Sequence, residues 1–296
     1  MRNVRVNTVG TGKAAKSLEV VRDVASLRAK VRERRRRDET VGLIPTMGAL
    51  HDGHLALVKA ALQSCDHAVT TIFVNPTQFA PNEDFEAYPR DEADDLAKLE
   101  ALSADLAFVP PVEEMYADGF STSVAVTGLT EGLCGASRPH FFGGVATVVS
   151  KLLLQALPDK AFFGEKDYQQ LQVVTRMARD LDIPVEIVGV PTVREADGLA
   201  MSSRNWYLSP EERAAAPTLY KVLCEIAAKL SAGEGSVDAI QAGRSELEAA
   251  GFGPIDYIEV CDARSLEPLE KADRPARVLA AAHLGRTRLI DNVAVG

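Results

Sequence analysis

Two histidines lie at the start of an apolar run in the most informative stretch of the chain, PTMGALHDGHLALVKAAL. Gly48 and Gly53 punctuate a loop between a strand-like and a helix-like pattern, which places His51 and His54 at a helix N-terminus. Unpaired backbone N–H groups and the helix dipole favour an anion there, and imidazoles can hydrogen-bond phosphate oxygens. A triphosphate is the anion we expect.

A plainer alternative is that one of these histidines caps the helix and the other lies on the surface. Two histidines bracketing a glycine favour a functional role over that alternative. A metal pair is disfavoured, because no Cys or Glu follows at a recognised ligand spacing. The four cysteines, Cys65, Cys134, Cys224 and Cys261, lie far apart, so neither a zinc site nor a disulfide framework is indicated.

Three other segments offer groups that suit phosphates or carboxylates. Gln78 follows a strand-like run and can both donate and accept hydrogen bonds, although a simple turn is equally compatible with its surroundings. Lys166, in FFGEKDYQQL, can neutralise negative charge on phosphate groups, unless this is only a solvated loop. Ser202, Ser203 and Arg204 offer two hydroxyls and a guanidinium fork, and the alternative there is helix capping with an ion pair.

The elements that must position these residues form an alternating pattern from Val41 onward. Short apolar runs alternate with longer amphipathic ones, which predicts βαβ units and a parallel sheet. The predicted strands are Val41–Ile44, Val69–Val74, Leu106–Val109, Lys160–Phe163 and Val185–Val188, and the predicted helices are Leu55–Gln63, Asp91–Leu102, Val145–Ala156 and Tyr168–Leu181. In such sheets ligands bind at the carboxyl ends of the strands, where the candidate residues fall. We therefore predict a Rossmann-like, doubly wound α/β domain over residues 1–191.

The alternation stops after Pro191, and a smaller α+β domain is predicted over residues 192–296. Ser209, Pro210 and Glu212 form a helix start with a capping box. Strands are predicted at Tyr257–Val260, Arg277–Ala281 and Arg288–Ile290. We expect this domain to close over the first as a lid that excludes water.

Composition narrows the class of function. The chain has 296 residues, of which 46% are hydrophobic and 25% charged, as in ordinary globular proteins. A formal charge of -9 disfavours a nucleic-acid partner. The basic run over residues 32–37 is expected to be the solvated face of a helix that begins near Ser17, after a loose arm of about fifteen residues. No apolar run approaches the roughly 20 residues of a membrane span, and no signal peptide is recognisable, so we expect a cytoplasmic protein.

At this point the sequence resembles a known family. His51, Gly53 and His54 match the His-x-Gly-His signature of nucleotidyltransferases related to class I aminoacyl-tRNA synthetases. The surrounding PTMGALHDGH is similar, almost letter for letter, to the ATP-binding loop of pantothenate synthetases, with Asp52 where Glu is common. The resemblance implies ATP-dependent condensation of (R)-pantoate with β-alanine through a pantoyl adenylate, releasing AMP and pyrophosphate. It also implies Mg²⁺ and a homodimer.

The resemblance further implies roles for particular residues. Contacts to ATP are implied for Met47, Gly48, Ala49, Leu50, His51, Asp52, Gly53, His54, Gly164, Glu165, Lys166, Asp167, Val193, Met201, Ser202, Ser203 and Arg204. Catalysis would rest on His54, His51, Lys166, Ser202, Ser203 and Arg204, with His54 as proton donor. Pantoate would bind to Gln78, Gln170 and Arg138, and β-alanine to Gln78. Asp94 and Asp95 match positions near ribose or magnesium, although two acids on a helix are commonly surface charge.

One segment departs from the family pattern, which usually reads Arg-Pro-x-His-Phe-x-Gly-Val. Here His140 comes one residue early and Phe141 occupies the usual histidine position. Either the loop shifts so that His140 still reaches the site, or the role of that histidine is absent. One alternative to the ligase is another adenylyl or cytidylyl transferase that shares the superfamily loop. A second, indicated by this departure, is a nucleotide-binding protein without catalysis. An NAD-binding domain is disfavoured because no GxGxxG follows a predicted strand.

Overall fold

The computed structural model describes residues 17–80 and 85–296, and the predicted N-terminal arm lies outside this range. Six parallel strands form one sheet in the order β1-β4-β3-β2-β5-β6. The strands are β1 Glu19–Val21, β2 Val41–Thr46, β3 His67–Ile72, β4 Leu106–Phe108, β5 Lys160–Gly164 and β6 Glu186–Val190. The predicted strands agree with these bounds to within two residues. The chain leaves β2 in one direction through β3 and β4, and β5 and β6 lie on its other side.

Helices cover both faces of this sheet. They are α1 Val24–Arg35, α2 Asp52–Ser64, α3 Glu92–Ala101, α4 Val112–Met115, α5 Cys134–Ser137, α6 Phe141–Ala156 and α7 Tyr168–Asp180. Neighbouring strand residues point to opposite faces: Leu43 packs in a core with α1, α6 and α7, and Ile44 packs in a second core with α2 and α3. Both cores are fully buried, which explains the continuous apolar character of the strands. The predicted doubly wound α/β fold is confirmed.

The prediction was wrong at the start of the described chain. Residues Glu19–Val21 form the edge strand β1, paired in parallel with β4, instead of the first turn of a helix. The helix begins at Val24, because the Asp23 side chain caps it by accepting the backbone N–H of Ser26 at 2.7 Å. A three-residue strand next to an amphipathic helix has too little periodic signal to be separated from it.

The basic run is also not uniformly solvated. Arg34 is 6% exposed, lies between the helix and the amino-terminal ends of the strands, and has its guanidinium pKa lowered by burial. The nearby Asp105 opposes this shift. The rest of the run is largely exposed, as predicted.

The second unit contains helices α8 Pro210–Ala215, α9 Thr218–Ser231 and α10 Ser236–Ala249 and an antiparallel sheet in the order β7-β8-β9. Its strands are β7 Phe252–Asp262, β8 Ala276–Leu284 and β9 Thr287–Val295. The predicted capping box at Ser209 is present, with Glu212 as its partner. This unit has its own apolar core, and a further cluster that includes Phe142 and Tyr257 packs it against the first. The smaller C-terminal domain is confirmed, while its boundary at residue 192 stays a prediction.

The strand order locates the place where a ligand is expected. Connections diverge between β2 and β5, and the carboxyl ends of these two strands face the same side of the molecule. Doubly wound sheets bind ligands in the crevice outside such a switch point. In the part of the chain that the structure describes, no helix has both the length and the apolar content of a membrane span.

Candidate active site

A cavity of about 640 Å³ lies at the carboxyl ends of the central strands. The loops after β2, β3, β5 and β6 form its walls on the side of the parallel sheet. The β8–β9 hairpin of the small domain closes another side. The predicted site residues that line it are Met47, His51, Gly53, His54, Gln78, Arg138, Gly164, Lys166, Asp167, Gln170, Val193, Met201, Ser202, Ser203 and Arg204. Five chain segments that are remote in sequence therefore meet in one cavity, namely the four loops and the stretch that contains Arg138.

The two histidines form the N-terminal cap of α2. The backbone N–H of Gly53 donates to Nδ1 of His51 at 3.1 Å, and the backbone N–H of His51 donates to Nδ1 of His54 at 3.4 Å. Because Nδ1 is the acceptor in each neutral ring, the ring proton must lie on Nε2. Both imidazoles, 4.1 Å apart between centroids, therefore offer an Nε2–H donor. The alternative of one cap and one surface histidine is wrong, since both rings cap the helix and line the cavity.

Burial keeps both rings neutral. Desolvation, with a smaller contribution from the Lys166 ammonium, lowers the pKa of His51 from 6.5 to about 4. Burial and the adjacent His51 lower the pKa of His54 to about 3. Near neutral pH the pair is therefore a set of uncharged hydrogen-bond donors, which suits phosphate oxygens.

The loop between β2 and α2 is held by a buried carboxylate on α3. Asp95, 1% exposed, accepts the backbone N–H of Ala49 at 2.9 Å and that of Leu50 at 2.6 Å. Gly48 and Ala49 have φ values of 84° and 50°, a tight left-handed turn. A Cβ at Gly48 would lie 2.9 Å from Asp95 Oδ2, so glycine is required there. The side chains of Ala49, Leu50 and Asp52 do not line the cavity.

This arrangement bears on the predicted metal ligands. Both Asp95 oxygens face backbone amides, and burial raises the pKa of this carboxyl. Asp94 is exposed and pairs with Lys98 at 2.5 Å. Neither carboxylate lines the cavity, and the described residues contain no cluster of three or more acidic, His or Cys side chains suited to a metal ion. The geometry makes Asp95 an anchor for the loop, and magnesium binding there stays a prediction.

Gln78 lies in a short 3₁₀ turn after β3 and is 8% exposed. Its Oε1 accepts the Asn75 side-chain amide at 3.0 Å, and its Nε2 donates to the sulfur of Met47 at 3.0 Å. Asn75 also donates to the carbonyl of Gly144 and accepts the Tyr116 hydroxyl at 2.7 Å. The carboxamide is thus held in one orientation at the cavity wall, and Asn75 is part of the site.

The departure from the family pattern has a structural outcome. The Arg138 guanidinium lies 3.8 Å above the ring centroid of Phe141 and donates to the carbonyl oxygen of Gln78 at 3.4 Å. His140 is exposed at the start of α6, makes no side-chain cap and does not line the cavity. The alternative in which His140 still reaches the site is therefore wrong in this structure. Phe141 and Arg138 line the cavity in its place.

The segment after β5 presents Lys166 to the same cavity. Lys166 lies 3.6 Å from Asp167, and its side chain is 18% exposed. The Glu165 carboxylate is directed away from the cavity, toward Arg277 of β8 at 2.9 Å. Gln170 follows on the first turn of α7 and lines the cavity, half-buried.

The segment after β6 completes the wall. Val193 and Met201 are joined by a backbone hydrogen bond of 3.0 Å, which closes a small hairpin. A 3₁₀ helix over Ser203–Tyr207 follows, capped by the Ser202 hydroxyl, which accepts the backbone N–H of Arg204 at 3.3 Å. The capping alternative and the phosphate clamp are thus not exclusive, since all three predicted clamp residues line the cavity.

Several cavity residues gave no recognisable sequence signal. They are Tyr88 and, from the small domain, Tyr257, His283, Arg286, Arg288 and Asn292. Tyr88 lies 3.5 Å from the Ser203 hydroxyl. The small-domain residues are remote in sequence from every motif, and Tyr88 lies ten residues after Gln78, so that only the folded chain brings them to the cavity.

The fold and site define a nucleotide-binding α/β enzyme of the His-x-Gly-His class. The sequence model of the family described as pantoate-beta-alanine ligase matches residues 19–294. A pantothenate synthetase of Paramagnetospirillum magneticum is 60% identical over 279 residues, which cover 94% of this chain and 98% of that protein. The chain belongs to the pantoate-beta-alanine ligase family, and the predicted ligase class is confirmed.

Solved structures give the same result. The crystal structure of pantothenate synthetase from Thermus thermophilus has a TM-score of 0.89 and 49% identity, over 94% of this chain and 99% of that one. A pantoate-beta-alanine ligase from Francisella tularensis, complexed with beta-gamma ATP and beta-alanine, has a TM-score of 0.78 and 31% identity, over 94% of this chain and 97% of that one.

Proposed function

We propose that this enzyme condenses (R)-pantoate with β-alanine in two steps, using ATP to form a pantoyl adenylate and releasing pyrophosphate and then AMP. The observation that carries the proposal is the convergence of two neutral imidazole donors, Lys166 and the Ser202–Arg204 segment on one cavity. Uncharged donors and fixed cations together suit a triphosphate whose charge shifts during reaction. The Francisella ligase complexed with an ATP compound and β-alanine supports the same substrates.

In the first step a pantoate carboxylate oxygen attacks the α-phosphorus, and the bond to the β-phosphate oxygen breaks. His51 and His54 would donate their Nε2–H groups to phosphate oxygens. Lys166 and Arg204 would balance the charge that grows on pyrophosphate, and the Ser202 and Ser203 hydroxyls would add hydrogen bonds. His54, with its lowered pKa, would act as a hydrogen-bond donor and would not begin as an imidazolium.

In the second step the β-alanine nitrogen attacks the acyl carbon, AMP leaves and the nitrogen loses its proton. Gln78 and Gln170 would hold pantoate, and Arg138 provides a guanidinium for a carboxylate near Gln78. Gln78 would also orient β-alanine. No protein nucleophile is required, because the adenylate is itself the activated acyl group.

The adenine would contact Val193 and Met201, and the backbone over 47–54 and 164–167 would surround the phosphates. Mg²⁺ would reach the site with the ATP phosphates and neutralise part of their charge. The Asp167 carboxylate, which lines the cavity beside Lys166, would be the protein group available to such a cation. Asp94 and Asp95 would act one step removed, through the loop that Asp95 anchors.

We also infer a cytoplasmic homodimer whose residues 192–296 close over the catalytic domain. The dimer rests on the family resemblance, and the compartment is the expectation drawn from the sequence. Light scattering on the purified chain tests the dimer, and a mass equal to one chain would contradict it. Small-angle scattering with and without ATP and pantoate tests closure, which identical profiles would contradict.

The reaction is tested by measuring AMP release from ATP and Mg²⁺ with pantoate and β-alanine, added singly and together. We expect AMP release to require both substrates and to collapse in His54→Ala. Bound ATP without AMP release would contradict the proposal and favour a binding protein without catalysis. AMP release that ignores pantoate would favour another adenylyl transferase.

A further inference from the structure

Two neighbouring residues of the last strand, Asp291 and Asn292, lie at the wall of the cavity and are 4% and 3% exposed. The Asn292 side-chain amide donates two hydrogen bonds, to the carbonyl oxygens of Glu165 and Lys166, each at 2.9 Å. These carbonyls belong to the short turn that presents Lys166 to the cavity. One residue of the small domain therefore fixes the backbone of a phosphate-binding segment of the other domain.

Arg277 of β8 fixes the orientation of that amide. Its guanidinium donates to Oδ1 of Asn292 and, at 2.9 Å, to the carboxylate of Glu165. It also lies 3.9 Å above the ring of Tyr168. Because Oδ1 must face this donor, the Asn292 nitrogen must face the two carbonyls. Both N–H groups and the oxygen of the carboxamide are thus engaged.

Asp291 holds a second segment of the cavity wall. Its two carboxylate oxygens accept both terminal nitrogens of Arg194, at 2.6 and 2.9 Å. Arg194 also donates to the carbonyl of Gly198 at 3.1 Å and stacks 3.6 Å above the Tyr220 ring. The hairpin so held ends at Met201 and leads directly into the Ser202–Arg204 segment.

We propose that Asp291 and Asn292 are positioning residues for adenylate formation: adjacent positions of one strand set the register of both phosphate-binding segments, Lys166 through Asn292 and Ser202–Arg204 through Asp291. The inference rests on the proposed function, in which those segments bind the phosphates. It assigns to the small domain the assembly of the phosphate site, in addition to covering it.

A purely structural role and a positioning role differ in which half of the reaction they affect. Loss of general stability reduces both half-reactions alike. Misplacement of Lys166 and Arg204 acts where pyrophosphate departs, so it slows adenylate formation and leaves the attack of β-alanine on the adenylate nearly unchanged. A displacement of about 1 Å is enough to cost about 100-fold in rate.

The variant Asn292→Asp removes the two N–H donors and keeps the size of the side chain. Its carboxylate still accepts from Arg277, while an oxygen would face the two carbonyls and push the turn away. Asp291→Asn removes the charge and one acceptor from Arg194. The matched control is Asp197→Asn in the same hairpin, where Asp197 forms an exposed pair with Arg213 at 2.6 Å.

The experiment measures pantoate-dependent exchange of labelled pyrophosphate into ATP, and separately the conversion of supplied pantoyl adenylate by β-alanine. For the Asn292 and Asp291 variants we expect exchange to fall about 10- to 100-fold, conversion of the adenylate to stay within about threefold, and the Asp197 control to match the parent in both. Circular dichroism confirms that each variant is folded. If one is not, Arg194→Lys replaces Asp291→Asn, and Arg277→Lys replaces Asn292→Asp.

Two outcomes would overturn the inference alone: parent-like exchange in the folded variants, or an equal loss in both half-reactions. A parent enzyme that shows no pantoate-dependent exchange would instead overturn the proposed function, and this inference with it. Measurement of the parent enzyme therefore distinguishes a failure of the proposed function from a failure of this inference.

Discussion

The sharpest prediction concerns Gly53, between the two histidines. A Cβ built on Gly53 would lie 2.8 Å from Cε1 and 2.9 Å from Nδ1 of His51, closer than real Cβ contacts. The His51 ring must then rotate, and its Nδ1 loses the backbone N–H of Gly53 at 3.1 Å. The substitution Gly53→Ala therefore displaces the His51 ring while the histidine itself is kept.

The sizes of the free-energy contributions determine whether Gly53→Ala changes stability or activity. Alanine in place of glycine in a helix contributes up to about 1 kcal/mol through propensity. Loss of an N-cap hydrogen bond costs about 1 kcal/mol. These contributions nearly cancel, so we expect the free energy of unfolding to change by less than about 1 kcal/mol. Loss of one aligned donor at the phosphates costs about 10²–10³ in rate at comparable anion sites, so we expect kcat to fall at least about 10-fold.

Gly143 is the matched control, because it also lies in the first turn of a helix and a Cβ there meets no atom within 4 Å. Gly143→Ala should keep full activity and gain up to about 1 kcal/mol in stability. AMP release and urea denaturation of both variants measure the two quantities. A Gly53→Ala enzyme with activity within about twofold of the parent would refute the reasoning.

Three other outcomes are expected from the same cavity. Asp95→Asn should lower the free energy of unfolding in urea by about 1–3 kcal/mol, because one backbone N–H loses its acceptor. The exposed control Asp94→Asn should change the free energy of unfolding by less than about 0.5 kcal/mol, and similar values for both variants would contradict this expectation. Phe141→Leu should raise the KM for pantoate about two- to fivefold, since the stacked guanidinium loses about 0.5–1 kcal/mol, and steady-state kinetics showing a change in the KM for ATP instead would oppose it. The folded-state pKa values of His51 and His54, about 4 and about 3, lie below the ordinary value of 6.5. The stability that these rings contribute is therefore present above pH 6.5 and is lost as the pH falls toward the folded-state values. The loss is at most about 1.4 kcal/mol per pH unit for each ring. Urea titrations across this pH range should show a smaller loss when both are replaced by Asn, and an equal loss would contradict the assignment.

Much of the fold could be predicted from the sequence because its strands are buried on both faces and its helices are amphipathic. Both patterns persist over enough residues to be distinguished, as in β2 and α7. The strand at Glu19–Val21 could not be predicted from the sequence. It is a strand because it pairs with β4, which lies more than eighty residues away along the chain. Similarly, the sequence does not distinguish Arg34 from the other arginines of its charged run, because its burial results from the packing of α1.

The candidate site was likewise predictable only in part. Side chains near glycine-rich turns at strand ends were predictable, because a parallel sheet collects those ends at one edge. The contacts that orient them were not. Asp95 has the sequence context of a surface acid, and Asn292 lies beyond the predicted strand Arg288–Ile290. Each nevertheless uses its hydrogen-bonding groups on the backbone of a cavity loop. Such contacts depend on distances between remote segments and carry no local periodicity.

The replacement of the usual histidine by Phe141 is consistent with an active enzyme on physical grounds. An aromatic face attracts the Arg138 guanidinium through the ring and uses none of its N–H donors for that contact. A histidine at this position would offer a similar face and, in addition, a hydrogen bond. What the substitution removes is therefore one polar contact beside the proposed pantoate-binding residues, while the residues proposed to bind the phosphates lie on other segments of the cavity. The expected consequence is weaker pantoate binding with adenylate chemistry intact, which is why the KM for pantoate, and not kcat, is the quantity that should respond at Phe141.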